Sequence, residues 1–245
     1  MTPKIDVALR KEDVEPTTVA GRVVVVIDVL IATTTIAYAL AHGMPRVLPV
    51  LDADAARAAV EGGPADAWLL AGEWLGSPIP SFASIDPRRW PWPAAAAKSL
   101  VLASTNGTVA LARASLAADL YAAALVNVGA VAQHLAALHP EEDILLVCAG
   151  AVGRFGLDDF LAAGCLVARL AQVGGWRLTD AALAALATFR LHASDIVDAL
   201  ALSRTGRWLV QEGGREIVEL AAAVDSYPVV ARREGGWLVR AGAGA

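Results

Sequence analysis

The chain predicts an α/β fold: a mostly parallel sheet with helices on both faces, then a helical C-terminal part that ends in a β-hairpin. Two observations carry this. Short apolar runs at residues 23–27, 100–103 and 144–148 alternate with helix-like segments, as βαβ units do. The runs are apolar throughout, which fits strands covered on both faces.

Residues 5–9 read as a first strand, and residues 17–20 lead through Gly21 into the strand at 23–27. Asp28 lies near the C-terminal end of that strand, and Thr33, Thr34 or Thr35 is expected to cap a helix over 35–42. Gly43 stops that helix, and Pro45 hands over to a strand at 46–50. Asp52 caps the next helix, to about residue 60, and Gly62, Gly63 and Pro64 end it. A strand at 68–71 then delivers Gly72 and Glu73. Residues 74–93 carry five prolines and three tryptophans with no period, so a lid or interface segment is expected, or a satellite core of tryptophans.

Regular alternation resumes with a strand at 100–103, the turn Ser104, Thr105, Asn106, Gly107 and Thr108, and a helix to about residue 116. A strand at 120–123, a helix begun by Asn127 and a strand at 144–148 follow. The last runs into Ala149, Gly150, Ala151, Val152, Gly153 and Arg154. Asp158 and Asp159 open an amphipathic helix over 157–172, at the positive end of its dipole. After Gly174 and Gly175, residues 179–202 and 206–223 read as helical, and a hairpin pairs 229–232 with 237–240 around Gly235 and Gly236. The expected division is an α/β catalytic core over 1–175 and a smaller α+β part over 176–245 packed on it.

Composition narrows the function. The net charge is −5 and the isoelectric point near 5.4, with no basic stripe, which argues against a nucleic-acid partner. No apolar run has the length of a membrane span and the N-terminus has no signal-peptide pattern, so a cytoplasmic protein is expected. Cys148 and Cys165 are the only cysteines and read as buried small hydrophobes. A homodimer would find its contact in the tryptophan-rich segment or around Trp237.

Polar strand ends recur at Asp28 to Thr35, Gly72 to Glu73, Ser104 to Thr108 and Ala149 to Arg154. In a parallel sheet they project from one edge and can converge on one pocket. Free N–H groups at helix starts suit an oxyanion. In an acidic chain the remaining positive potential must come from a metal ion or a few arginines.

DVLIATTT at 28–35, AGE at 71–73, STNGT at 104–108, Asn127 and CAGAVGRFGLDDF at 148–160 together resemble the 2-phosphosulfolactate phosphatase family of coenzyme M biosynthesis. The C-terminal pattern Ser203, Gly206, Arg207, Leu209, Gly213, Glu216 and Ile217 is similar too. The resemblance implies a magnesium-dependent phosphomonoesterase that releases phosphate and 3-sulfolactate from a small anionic substrate. By matching position it implies Asp28, Glu73, Asp158 and Arg154 as catalytic residues, with Asp28, Glu73 and Asp159 holding Mg²⁺, a cation suited by carboxylates and phosphate oxygens. Thr33, Thr34, Thr35, Asn106, Gly107, Thr108 and Asn127 would bind substrate.

The nucleophile stays open between Asp28, a metal-held water and Cys148. The chain departs from the family pattern at Ile31, where the family has arginine, at Gly156, where it has serine, and after Glu73. These changes touch the expected pocket and bear on the substrate. The competing readings are a phosphatase for another small phosphorylated acid, a non-catalytic anion binder and a structural oligomer subunit.

Overall fold

A computed structural model describes residues 2–242. In chain order the elements are β1 (Lys4–Ala8), β2 (Val23–Ile27), α1 (Ala32–Ala41), β3 (Val47–Val50), α2 (Ala53–Val60), β4 (Trp68–Trp74), β5 (Ser77–Pro78) and β6 (Ser99–Ala103). There follow α3 (Gly107–Arg113), β7 (Asp119–Ala123), α4 (Val128–Leu138), β8 (Ile144–Cys148), α5 (Leu157–Val173) and β9 (Arg177–Leu178). The C-terminal part holds α6 (Asp180–His192), α7 (Ile196–Ala201), α8 (Arg204–Gln211), α9 (Arg215–Ala221), β10 (Ala231–Glu234) and β11 (Trp237–Arg240).

The strands form one sheet in the order β5-β4-β6-β3-β11-β10-β7-β2-β8-β1-β9. β2, β6 and β8 are buried at every residue, as their unbroken apolar runs require. The largest fully buried side chains come from these strands and the helices over them, Ile27, Leu100, Leu102, Ile144 and Leu146 among them.

The C-terminal hairpin lies inside the sheet, where β10 pairs antiparallel with β7 and β11 antiparallel with β3. Three antiparallel steps separate β7 from β3, so the parallel block β4-β6-β3 runs opposite in sense to β7-β2-β8-β1-β9. The strand ends therefore do not share one edge of a uniformly parallel sheet. They still meet: a Cβ at Gly107, after β6, would stand 2.4 Å from Oδ2 of Asp28, after β2. Strand twist, strongest in two-stranded ribbons, is the physical means by which a hairpin can turn one block toward the other.

Two local expectations change. α1 starts at Ala32, and its N-cap Ile31 makes no side-chain cap bond. The threonines are buried in the first turn and close the strand-to-helix turn instead. Thr33 Oγ1 accepts from Asp28 N at 3.0 Å and donates to Asp28 O at 2.8 Å, and Thr34 Oγ1 donates to Val29 O. The helical run at 179–202 is divided into α6 and α7, and the segment after β4 takes the form of the satellite core of tryptophans. Trp90 is buried, its Nε1 donates to Ser84 O at 2.8 Å, and it stacks on Trp92. Arg89 ties this segment to Glu216 of α9 at 2.7 Å. No helix among the described residues is long and apolar enough to cross a membrane.

Candidate functional site

A cavity of about 270 Å³ opens where the turns after β2, β4, β6 and β8 meet the start of α8. Glu73, Thr105, Asn106 and Thr205 supply its polar lining, and Ile31, Leu75, Val152 and Trp208 its apolar side. Among the described residues Arg204 is the one cation that lines it.

Each carboxylate at the turns is held by a different device. Glu73, buried, accepts from Thr105 N at 2.8 Å, Thr105 Oγ1 at 2.9 Å and Gly76 N at 2.7 Å. Those bonds tie the turn after β4 to the turn after β6. Asp159 accepts from Val29 N at 2.9 Å through Oδ1 and from Gly150 N at 2.8 Å through Oδ2, joining the turns after β2 and β8. Burial, then Asp158 and Asp28, push its pKa well above the ordinary carboxylate range.

Asp28 is partly exposed. Burial of its carboxylate, then the charges of Asp158 and Glu73, push it up to about 7, against the backbone amides of Gly107 and Ala32. Asp158 is pushed up to about 6 by burial, while its neighbouring amides and the hydroxyls of Ser203 and Thr205 pull it down. Its buried Oδ1 has no hydrogen-bond partner. Gly156, the N-cap of α5, offers no side chain there, and a Cβ at that position would stand 3.1 Å from this oxygen.

Asn106 presents a donor to the cavity because its oxygen is already engaged. Its Oδ1 accepts from Lys11 Nζ at 2.9 Å and from Val152 N at 3.0 Å. That fixes the amide with Nδ2 directed away from both. Lys11 is itself buried, its Nζ also donating to Ala149 O at 3.3 Å and lying 3.0 Å from Glu12.

The remaining expected site residues divide. Gly107 packs directly on Asp28. Thr108 turns inward, exchanging hydrogen bonds with Ser104 at 2.9 to 3.1 Å, and Thr33 and Thr34 behave alike. Thr35 Oγ1 reaches only Ile85 O, at 3.5 Å. Asn127 is fully buried and spends its side chain on Ala124 N, Ala122 O and Val229 O, which anchors the chain entering the hairpin. Arg154 is exposed and does not line the cavity. Cys148 is fully buried, and burial beside Asp159 and Asp158 pushes its thiol well up, so a reactive thiolate is disfavoured.

Lys11, Ser203, Arg204, Thr205 and Trp208 are missing from the residues expected at the site. The charged run after β1 was a legible signal for Lys11. Ser203 had the signature of a helix cap, which it is, accepting from Gly206 N at 2.9 Å.

Among the described residues no group of three or more His, Cys, Asp or Glu side chains is gathered to hold a metal ion by itself. The donors nevertheless fit Mg²⁺, which takes one or two carboxylates and completes its shell with water and phosphate oxygens. The bare Asp158 Oδ1 and the mutual repulsion of Asp28, Asp158 and Asp159 are the observations that a cation would relieve.

A family model described as 2-phosphosulpholactate phosphatase matches residues 8–236. A protein of Symbiobacterium thermophilum is 35% identical over 86% of this chain and 91% of its own length. Another, of Deinococcus radiodurans, is 40% identical over 85% and 86%, and one of Parasynechococcus marenigrum is 39% identical over 84% and 86%. Each of the three carries the name "Probable 2-phosphosulfolactate phosphatase".

Proposed function

The chain belongs to the 2-phosphosulpholactate phosphatase family, and we propose that it is a Mg²⁺-dependent phosphatase converting 2-phosphosulfolactate to 3-sulfolactate and inorganic phosphate. The observation that carries this reading is the cluster of mutually repelling carboxylates with one bare buried oxygen, beside a cavity lined by a cation. An anion-binding site has no use for such a cluster unless a cation mediates.

Asp158, through its bare Oδ1, is the carboxylate that would hold the ion, with water and phosphate oxygens completing the shell. When bound, it would neutralise charge on the phosphoryl oxygens and on the leaving oxygen. Nδ2 of Asn106 orients the phosphoryl group. Asp28, titrating near neutrality, takes a proton from the attacking water as its oxygen bonds to phosphorus. The phosphorus–ester oxygen bond then breaks, and the organic oxygen leaves as the hydroxyl after taking a proton from solvent. Glu73 keeps the two turns in register through its three hydrogen bonds. The substrate is a small anion, and the setting is the cytoplasm.

The test is phosphate release from 2-phosphosulfolactate and a panel of phosphorylated hydroxy acids, with Mg²⁺ or with EDTA, for wild type and Asp28→Asn. Release lost in EDTA, restored by Mg²⁺ and reduced at least about 100-fold in the variant is expected. Release insensitive to EDTA removes the metal from the proposal. No release from any ester removes the phosphatase.

A further inference from the structure

Glu73, Thr105, Asn106 and Thr205 form the cavity's polar lining, with Asp28 behind Asn106 against Gly107, so a phosphoryl group held on that side turns the organic part of the ester toward Ile31, Leu75, Val152, Arg204 and Trp208. Four of those five side chains are apolar and offer nothing to a second anionic group. We propose that Arg204 is the specificity-determining residue of the cavity, its guanidinium receiving the carboxylate or sulfonate that the ester carries beside its phosphoryl group. The inference rests on the phosphatase reading above and adds to it which side chain selects for a second oxyanion.

Charge and placement both single out Arg204. It is exposed, and among the described residues its side chain makes no ion pair or hydrogen bond. The other cations near the cavity are committed or aimed elsewhere. Lys11 lies behind Asn106 with its ammonium spent on Asn106 Oδ1, Ala149 O and Glu12. Arg207, three residues along α8, donates to Leu202 O, and Arg154 is outside the lining.

The helix that carries Arg204 is fixed against the site. Ser203 caps it, and the indole of Trp208 packs over Gly76, where a Cβ would stand 2.7 Å from its ring. A planar guanidinium so placed can meet two oxygens of one oxyanion at once.

The test compares 2-phospholactate with isopropyl phosphate, which has the same carbon skeleton with a methyl in place of the carboxylate. With Mg²⁺ present, Arg204→Gln is expected to lower the preference for 2-phospholactate over isopropyl phosphate, taken as the ratio of their kcat/KM values, at least tenfold. Most of that loss should appear as a higher KM on the carboxylate-bearing ester. Arg204→Lys is expected to restore part of the ratio. A ratio unchanged in Arg204→Gln, or equal losses on both esters, overturns the assignment. If the wild type cleaves neither ester, calorimetric titration with 3-sulfolactate decides Arg204 alone, and the phosphatase reading falls only if 2-phosphosulfolactate is not cleaved either. Binding at least tenfold weaker in Arg204→Gln supports the assignment, and equal binding or none in both proteins overturns it.

Discussion

At the scale of single residues, the carboxylates set how the protein responds to pH. An ordinary aspartate titrates near 3.8, whereas Asp28 is raised to about 7 and Asp158 to about 6. The folded state thus holds protons that the unfolded chain has released, and the resulting stability is fully present below about 3.8 and lost as pH rises through 6 and 7. Thermal melts in EDTA should show a midpoint that falls from pH 5 to pH 8, and Asp28→Asn should flatten that fall; a midpoint rising over this range contradicts the assigned shifts. Activity should move the other way, increasing as Asp28 loses its proton. Gly107→Ala tests the same carboxylate by sterics, since the new Cβ would stand 2.4 Å from Asp28 Oδ2 and 2.5 Å from Ala32 Cβ. We expect kcat to fall at least about 100-fold with roughly 1–3 kcal/mol of lost stability from overpacking, read from steady-state rates and denaturant melts. Asp28 and Glu73 were legible in sequence because a polar residue at the end of an apolar strand announces itself, and Asp158 and Asp159 because they open an amphipathic helix. The inward turn of Thr33, Thr34 and Thr108 was not, because a hydroxyl that closes a turn and one that faces a ligand have the same local sequence.

At the scale of elements, the site is assembled by pieces that sequence order keeps far apart. β1 and its following turn contribute Lys11, whose ammonium orients Asn106 across a separation of 95 residues. Lys11→Met should leave Asn106 free to rotate and raise KM about tenfold or more, and Lys11→Arg should recover part of it; unchanged KM in Lys11→Met would show that the amide is held by Val152 N alone. α8 contributes Ser203, Arg204 and Thr205, and its first turn lies close against α7. A Cβ at Gly206 would stand 1.9 Å from Leu200 O, so Gly206→Ala must push α8 away from α7 and with it the hydroxyls beside Asp158. We expect a loss of roughly 1–3 kcal/mol in a denaturant melt together with reduced phosphate release. A variant that melts early but keeps full activity would show that α8 is not needed at the carboxylates. The longer strands and the helices through α5 were legible as elements, since apolar runs and caps are local, whereas the two-residue strands β5 and β9 and the break between α6 and α7 carry no such pattern. That α8 would reach the carboxylates was not legible either, because the contact depends on how α5, α7 and α8 pack.

At the scale of the whole molecule, the hairpin decides whether there is one sheet or two. Val229 to Arg240 reads as a hairpin from its own residues, but nothing local says that it will separate two parallel blocks. β10 matches Ala231 to Ala122 of β7, while β11 meets β3 through Leu238 and Val47, both buried. Asn127, 102 residues from Val229, fastens the chain as it enters. Removing residues 229–245 would leave β3 and β7 as bare edges with unpaired backbone groups and would disconnect the block carrying Glu73 from the block carrying Asp28. The truncated chain is therefore expected to give no cooperative thermal transition by circular dichroism and to aggregate. Leu238→Ala, a milder change, should lower stability by roughly 2–5 kcal/mol as a buried cavity forms. A truncated protein that melts cooperatively near the wild-type midpoint would mean that the two blocks cohere through their turns and helices alone, with the hairpin an addition to a sheet already closed.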